Sequence, residues 1–242
     1  MFELTLHQPP TRPWATGNLS PFCIKLETYL RIAEIPYKVG KFSRGDAPKG
    51  KIPYVRLDGK FLGDSQLVIE ELEHRLVAEN KPALDGGLSP RDAALARLAR
   101  RTIEEGFYFH FVYLRWGLDD GFAAVRDEFK KLMPGFVASL IRRNVRKKLD
   151  GQGTGRHSHD EVMAIGAADF DAIAELLGDG PYFFGDAPRV IDCTLFAFLE
   201  AVLGFPVDSP IKARIAAHAN LVAYRARIRE RWWRDLESAQ TR

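Results

Sequence analysis

Asp58-Gly59, set between the runs 54–57 and 60–62, constrains the fold of this 242-residue chain more than any other feature. A two-residue turn between right-twisted strands needs positive φ at both central positions, and Asp-Gly tolerates it at little cost. A β-α-β pattern precedes that hairpin. Residues 2–7 alternate apolar and polar side chains, residues 21–33 carry Phe22, Leu26, Tyr29 and Leu30 at helical spacing, and residues 37–39 form a second short strand. A helix over 65–77 follows, with Leu67, Val68, Leu72 and Leu76 on one side. Strands joined through a helix are predicted to pair in parallel, whereas the hairpin adds antiparallel strands. Residues 1–78 are therefore predicted to form an α/β domain on a four-stranded mixed sheet.

Residues 79–88 are polar, contain Pro82 and Gly86-Gly87, and read as a linker. Beyond them only helical patterns remain, over 89–116, 121–132, 135–149, 159–177, 190–203, 210–218 and 221–236, so residues 89–242 are predicted to form an all-α domain. Ser89-Pro90-Arg91-Asp92 is a helix start, with a capping serine, proline in the first position and an acid in the first turn. Ser158 and Glu161 have the spacing of a capping box. Met133-Pro134-Gly135 interrupts what would otherwise be one long helix.

Composition narrows the function classes. Hydrophobic residues make up 46% and charged residues 28%, enough for a full core beneath a soluble surface, and the net charge of +3 gives no footprint for nucleic acid. No apolar run reaches the length of a membrane span, and no secretory signal opens the chain. Cys23 and Cys193 lie far apart, which suits reduced thiols in a cytoplasm better than a disulfide framework or a zinc site. Neither a metal nor a membrane partner is expected.

Three junctions carry the chemistry. Ser20-Pro21-Phe22-Cys23 stands where the first loop meets the first helix, with Ser20 as N-cap and Pro21 in the first helical position. On its own it is a common helix start. Lys51-Ile52-Pro53-Tyr54 opens the third strand, where proline is tolerated and cis is accessible. Gly63-Asp64-Ser65 turns the fourth strand into a helix whose N-terminal amides suit a carboxylate. All three fall at one end of the predicted sheet and can line one crevice.

Ser20-Pro21-Phe22-Cys23 resembles the redox box of thioredoxin-like proteins with serine in place of the first cysteine. With Lys25 it looks like the active-site stretch of zeta and omega glutathione transferases. Ile52-Pro53 matches that family's cis-proline, and Asp64-Ser65 its acid-serine pair. Phe184-Gly185-Asp186, Pro188 and Ile191-Asp192-Cys193 resemble the family's folding motif, although Arg189 stands where serine or threonine is usual. The stretches 20–31, 50–55, 113–116 and 151–162 look like the failed-axon-connections and metaxin-like group.

The resemblance implies a thioredoxin-like N-terminal domain, a helical C-terminal domain, glutathione as co-substrate and a homodimer. It implies that Ser20 activates the glutathione sulfur and that Ile52, Pro53, Asp64 and Ser65 hold the tripeptide. Lys51 could pair with the glycyl carboxylate or be an ordinary solvated lysine. Asp192 is assigned to structure rather than catalysis. As N-cap, Ser20 would accept a helix amide through its hydroxyl oxygen and keep its proton for the sulfur. A small hydrophobic electrophile would be met by aromatic residues of the helical domain, with Tyr108 and Trp116 as candidates. The alternative is a non-catalytic binding or scaffold protein on the same fold. Gly151–Gly155 follows a basic helix rather than a strand, so it fails the context of a phosphate loop, and the cations at 142–148 read as a solvated face.

Overall fold

The computed structural model describes residues 2–43, 45–131 and 134–238. Its sheet contains β1 (Leu4–His7), β2 (Lys38–Gly40), β3 (Tyr54–Leu57) and β4 (Lys60–Gly63) in the order β2-β1-β3-β4. β1 pairs in parallel with β2 and antiparallel with β3, which pairs antiparallel with β4. Asp58 and Gly59 take φ of 47° and 83°, the double left-handed turn that the Asp-Gly pair predicts. Leu4, Leu6, Val55 and Leu57 point from one face into a core with Leu26, Tyr29 and Leu30 of α1 (Pro21–Ile32) and Val68, Ile69 and Leu72 of α2 (Ser65–Ala78). Each fully buried side chain of this kind contributes about 2 kcal/mol of burial.

The helical part comprises α3 (Pro90–Arg101), α4 (Tyr108–Val112), α5 (Asp119–Lys130), α6 (Gly135–Gln152), α7 (His159–Leu177), α8 (Val190–Leu203), α9 (Pro210–Ala217), α10 (Ala219–Trp232) and α11 (Asp235–Ser238). The single helix predicted over 89–116 is continuous, but Thr102–Phe107 and Tyr113–Gly117 widen into π-turns. The capping box is present, with Ser158 N–H donating to Glu161 at 2.8 Å and Glu161 N–H to Ser158 at 3.3 Å. The expected break near Met133 falls partly outside the described residues, while Pro134 immediately precedes α6.

The chain forms two compact units. The first comprises Met1–Leu98, Asp179–Gly204 and Ala223–Arg242, and the second Ala99–Gly178 and Phe205–Val222. Within the first, α8 packs along α1, with Phe22 and Phe198 edge to face at 5.7 Å and Cys193 in the sheet core. Asp192, fully buried near the start of α8, accepts from Phe183 N–H (2.9 Å), Arg189 N–H (2.7 Å) and Tyr224 O–H (2.8 Å). Arginine cannot accept the return bond of a capping box. Instead Arg189 donates to the carbonyls of Leu84 and Gly86, and Asp85 accepts Val190 N–H at 2.9 Å. Glu73 accepts the amides of Leu84 and Asp85, so the polar stretch predicted as a linker is pinned on both sides.

A buried ionic cluster ties α1 to the end of the chain. Glu27, 1% exposed, accepts from Gln8, Arg31 and Tyr37, and Arg31 donates in turn to Asp235. Partial burial would raise the Asp235 carboxyl, but donors from Arg31 and Arg12 outweigh it and hold the group well below the usual carboxylate range. A depressed carboxylate stabilises the fold above its unfolded pKa of about 4 and loses that contribution as pH falls through the folded value. Asp235→Asn is therefore expected to flatten the acid limb of stability below pH ~4. The urea midpoint measured against pH checks this; an unchanged acid limb would contradict it.

Candidate functional site

The sheet register brings the junctions to one edge. His7 lies opposite both Gly40 and Tyr54, and Tyr54 lies opposite Gly63. The segment leading to Ser20 leaves from His7, Ile52-Pro53 immediately precedes Tyr54, and Asp64-Ser65 immediately follows Gly63. The connection between β2 and β3 contains no helix among its described residues and closes on the same edge. Tyr54 O–H donates to the Ser43 carbonyl at 2.9 Å, and Pro48 sits where a Cβ on Gly63 would meet it at 3.4 Å. His7 stacks on Tyr54 with ring centroids 4.7 Å apart.

The Ile52–Pro53 peptide is cis. Ile52 lies outside the strands and makes no backbone hydrogen bond to another described residue, so its N–H and C=O are available to an extended peptide beside β3. Lys51 is exposed, with no ion-pair partner among the described residues. Asp64 caps α2, its Oδ1 accepting from Gln66 N–H (3.0 Å) and Leu67 N–H (3.2 Å), at φ 84°. That leaves one carboxylate oxygen outward, while Ser65 is buried as the first residue of the helix.

Ser20 occupies the N-cap position of α1 with extended backbone, but its hydroxyl accepts no helix amide. This corrects the expected capping bond. Pro21 has no N–H to offer, and the amides of Cys23 and Ile24 turn to the Ser20 carbonyl. The hydroxyl lies against the Cys23 thiol instead. Burial pushes that thiol well up and the Ser20 contact only partly offsets it, so Cys23 is an inert neutral group. A neutral thiol is a weak acceptor, and the Ser20 hydroxyl would donate its hydrogen bond to a thiolate in preference.

The sequence places Lys25 in the active-site stretch only by resemblance and gives Gln66 no role; the two join two of the junctions. Lys25 is fully buried, and its Nζ donates to Gln66 Oε1 at 2.7 Å. The bond ties the second turn of α1 to the first turn of α2. Lys25 stands at helical spacing among apolar residues, a signal in hindsight; nothing local marks Gln66.

Tyr108 and Trp116, the candidates on the electrophile side, are half-buried in the second unit. Trp116 packs against Phe122 and Phe129, and its carbonyl accepts from Arg142 at 2.9 Å. Burial raises the Tyr108 phenol above its ordinary range. No group of three or more potential metal-ligating side chains occurs among the described residues.

Comparison with known proteins decides the family. Residues 21–122 match the description "Glutathione S-transferase N-terminal domain", and residues 166–228 match "Glutathione S-transferase, C-terminal domain". Isoprene-epoxide–glutathione S-transferase of Rhodococcus sp. (strain AD45) is 31% identical over 90% of this chain and 95% of its own length. The chain belongs to the glutathione transferase superfamily. Failed axon connections of Drosophila melanogaster is another relative, 26% identical over 93% of this chain, which spans 57% of that protein. A glutathione S-transferase of Ceriporiopsis subvermispora, solved in complex with glutathione, shares the transferase fold, with a TM-score of 0.64 at 15% identity over 98% of both chains. In this transferase fold the thioredoxin-like layer carries every residue expected to touch the tripeptide, all within the first unit.

Proposed function

We propose that the crevice at this sheet edge binds glutathione and that Ser20 holds its sulfur as a thiolate for attack on a small apolar electrophile. The observation that carries the proposal is the convergence of Ile52, whose backbone bonds to no other described residue, and the capped N-terminus of α2, joined through Lys25 and Gln66 to the helix that Ser20 opens. The cysteinyl unit would pair with Ile52 beside Pro53. The γ-glutamyl end would meet Asp64 and Ser65, its amine on the carboxylate and its carboxylate at the helix tip. Lys51 would take the glycyl carboxylate.

A free cysteine thiol titrates near ~8.5, so little thiolate exists at neutral pH. Lowering that value by about two units requires roughly 2.7 kcal/mol of preferential thiolate stabilisation. One hydrogen bond to a charged group contributes about 1.5–3 kcal/mol, and the α1 N-terminus adds up to about 1 kcal/mol. A serine hydroxyl at a helix tip is therefore sufficient. The name of one relative, isoprene-epoxide–glutathione S-transferase, supports an epoxide as the class of electrophile. With an epoxide, the C–S bond forms as the C–O bond breaks, and the alkoxide takes its proton from solvent.

Calorimetry with glutathione tests the binding half. We expect saturable binding at or below millimolar concentration, weakened about ten-fold or more by Asp64→Ala, as loss of a charge-assisted contact implies. Absence of heat at millimolar glutathione would sink the proposal. Likeness to Failed axon connections favours a second reading, a non-catalytic binding protein on the same fold. Glutathione binding without turnover of any epoxide or activated aryl halide would select it.

A further inference from the structure

The loop that delivers Ser20 is held from behind by the end of the chain rather than by the sheet. Arg12 donates to Asp235 at 2.6 Å, and Arg229 donates to the Ala15 carbonyl at 3.1 Å. Trp233 is fully buried against Gly17, where a Cβ would come within 2.7 Å of the indole Cη2 and 2.8 Å of Cζ3. On its other side the indole N–H donates to Thr28 Oγ1 of α1 at 3.1 Å, and the Arg31 guanidinium lies 3.9 Å from the ring centroid. Arg31 closes the arrangement by donating to the Trp232 carbonyl and to Asp235. Trp233 thus touches the Ser20 loop three residues before the serine and α1 eight residues after it.

The tripeptide-binding junctions are held differently. Pairing of Tyr54 with Gly63, the Lys25–Gln66 bond and the Asp64 cap fix Ile52-Pro53 and Asp64-Ser65 without any residue beyond 222. The contacts that fix the tripeptide junctions and those that fix the Ser20 loop meet only at α1, which carries both Lys25 and Thr28.

We infer that Trp233 is a positioning residue for Ser20: by setting the depth of the loop at Gly17 it controls how well the hydroxyl reaches the bound sulfur, and it leaves tripeptide affinity alone. The inference rests on the role given to Ser20 above. Its expected signature is a loss of thiol activation at unchanged binding.

Gly17 does not use the left-handed region of φ, so alanine can adopt its backbone, and the added methyl must push on the indole. Phenylalanine at position 233 lacks the two carbons it would strike. Gly17→Ala is expected to raise the pKa of bound glutathione by about one unit and lower kcat about ten-fold, with the glutathione Kd changed less than about two-fold. Adding Trp233→Phe to Gly17→Ala should restore kcat to within about three-fold of wild type. Parallel loss of kcat and glutathione affinity, or failure of the second substitution to restore, overturns the inference. Amide hydrogen exchange supplies a readout that does not depend on glutathione. Exchange at Thr16 and Ser20 should accelerate in Gly17→Ala and slow again in the double variant, and unchanged exchange overturns the positioning claim. If wild type binds no glutathione at all, the functional reading fails while the exchange result still decides the role of Trp233.

Discussion

Asp192→Ala is expected to cost about 3–5 kcal/mol and lower the melting temperature by about 10–15 °C. Removing the carboxylate strands the amides of Phe183 and Arg189 and leaves the Tyr224 hydroxyl only the Asp192 backbone carbonyl, at 3.0 Å. Each unsatisfied donor costs about 1–3 kcal/mol, and the sum is reduced because the carboxylate itself is expensive to bury. That expense is visible in its titration: burial pushes the Asp192 carboxyl up to about 6, against the pull of its three donors. The native state therefore keeps the proton to higher pH than the unfolded chain does. The contribution of this group's own titration is full below pH ~4 and lost as pH rises through 6. Asp192→Asn retains acceptance at one oxygen and should recover part of the loss, with its deficit relative to wild type largest in acid. Thermal denaturation of both variants across pH checks this. A loss below about 1 kcal/mol for the alanine variant would mean that the two stranded amides find other partners.

Ser20→Ala is expected to raise the pKa of bound glutathione by about one to two units and to lower turnover at neutral pH about ten- to hundred-fold, since one unit corresponds to about 1.4 kcal/mol. Affinity for glutathione should change little, because the contacts proposed for the tripeptide lie at Ile52 and at the α2 N-terminus, not at Ser20. Stability should also be nearly unchanged: the hydroxyl caps nothing, so the penalty of about 1 kcal/mol usual for losing an N-cap does not apply. Thiolate absorbance of the complex followed against pH separates the outcomes. A titration curve identical in wild type and Ser20→Ala would remove Ser20 from the chemistry.

Local signals in the sequence carried much of the architecture. Asp58-Gly59 named its own turn, and alternation plus the register it implies placed Ile52-Pro53 and Asp64-Ser65 at one sheet edge. Physical pairing across long separations was not legible. Arg12 and Asp235 are 223 positions apart, and Trp233 meets Thr28 across 205, so no spacing rule connects them. Arg189, read as a departure from the family's pattern, shows its purpose only with Leu84 and Gly86 in view. The π-turns at Thr102–Phe107 and Tyr113–Gly117 escaped because over a single turn their periodicity barely differs from that of an α-helix. The Ser20 hydroxyl was misassigned for a similar reason: residue type identifies an N-cap position but not where a freely rotating hydroxyl points.

A crystal structure of the protein with glutathione tests the central claim most directly. The cysteinyl amide is expected on the backbone of Ile52, the γ-glutamyl group at Asp64 and Ser65, and the sulfur within hydrogen-bond reach of Ser20 Oγ. A tripeptide bound away from this edge, or bound here with its sulfur turned from Ser20, would contradict it.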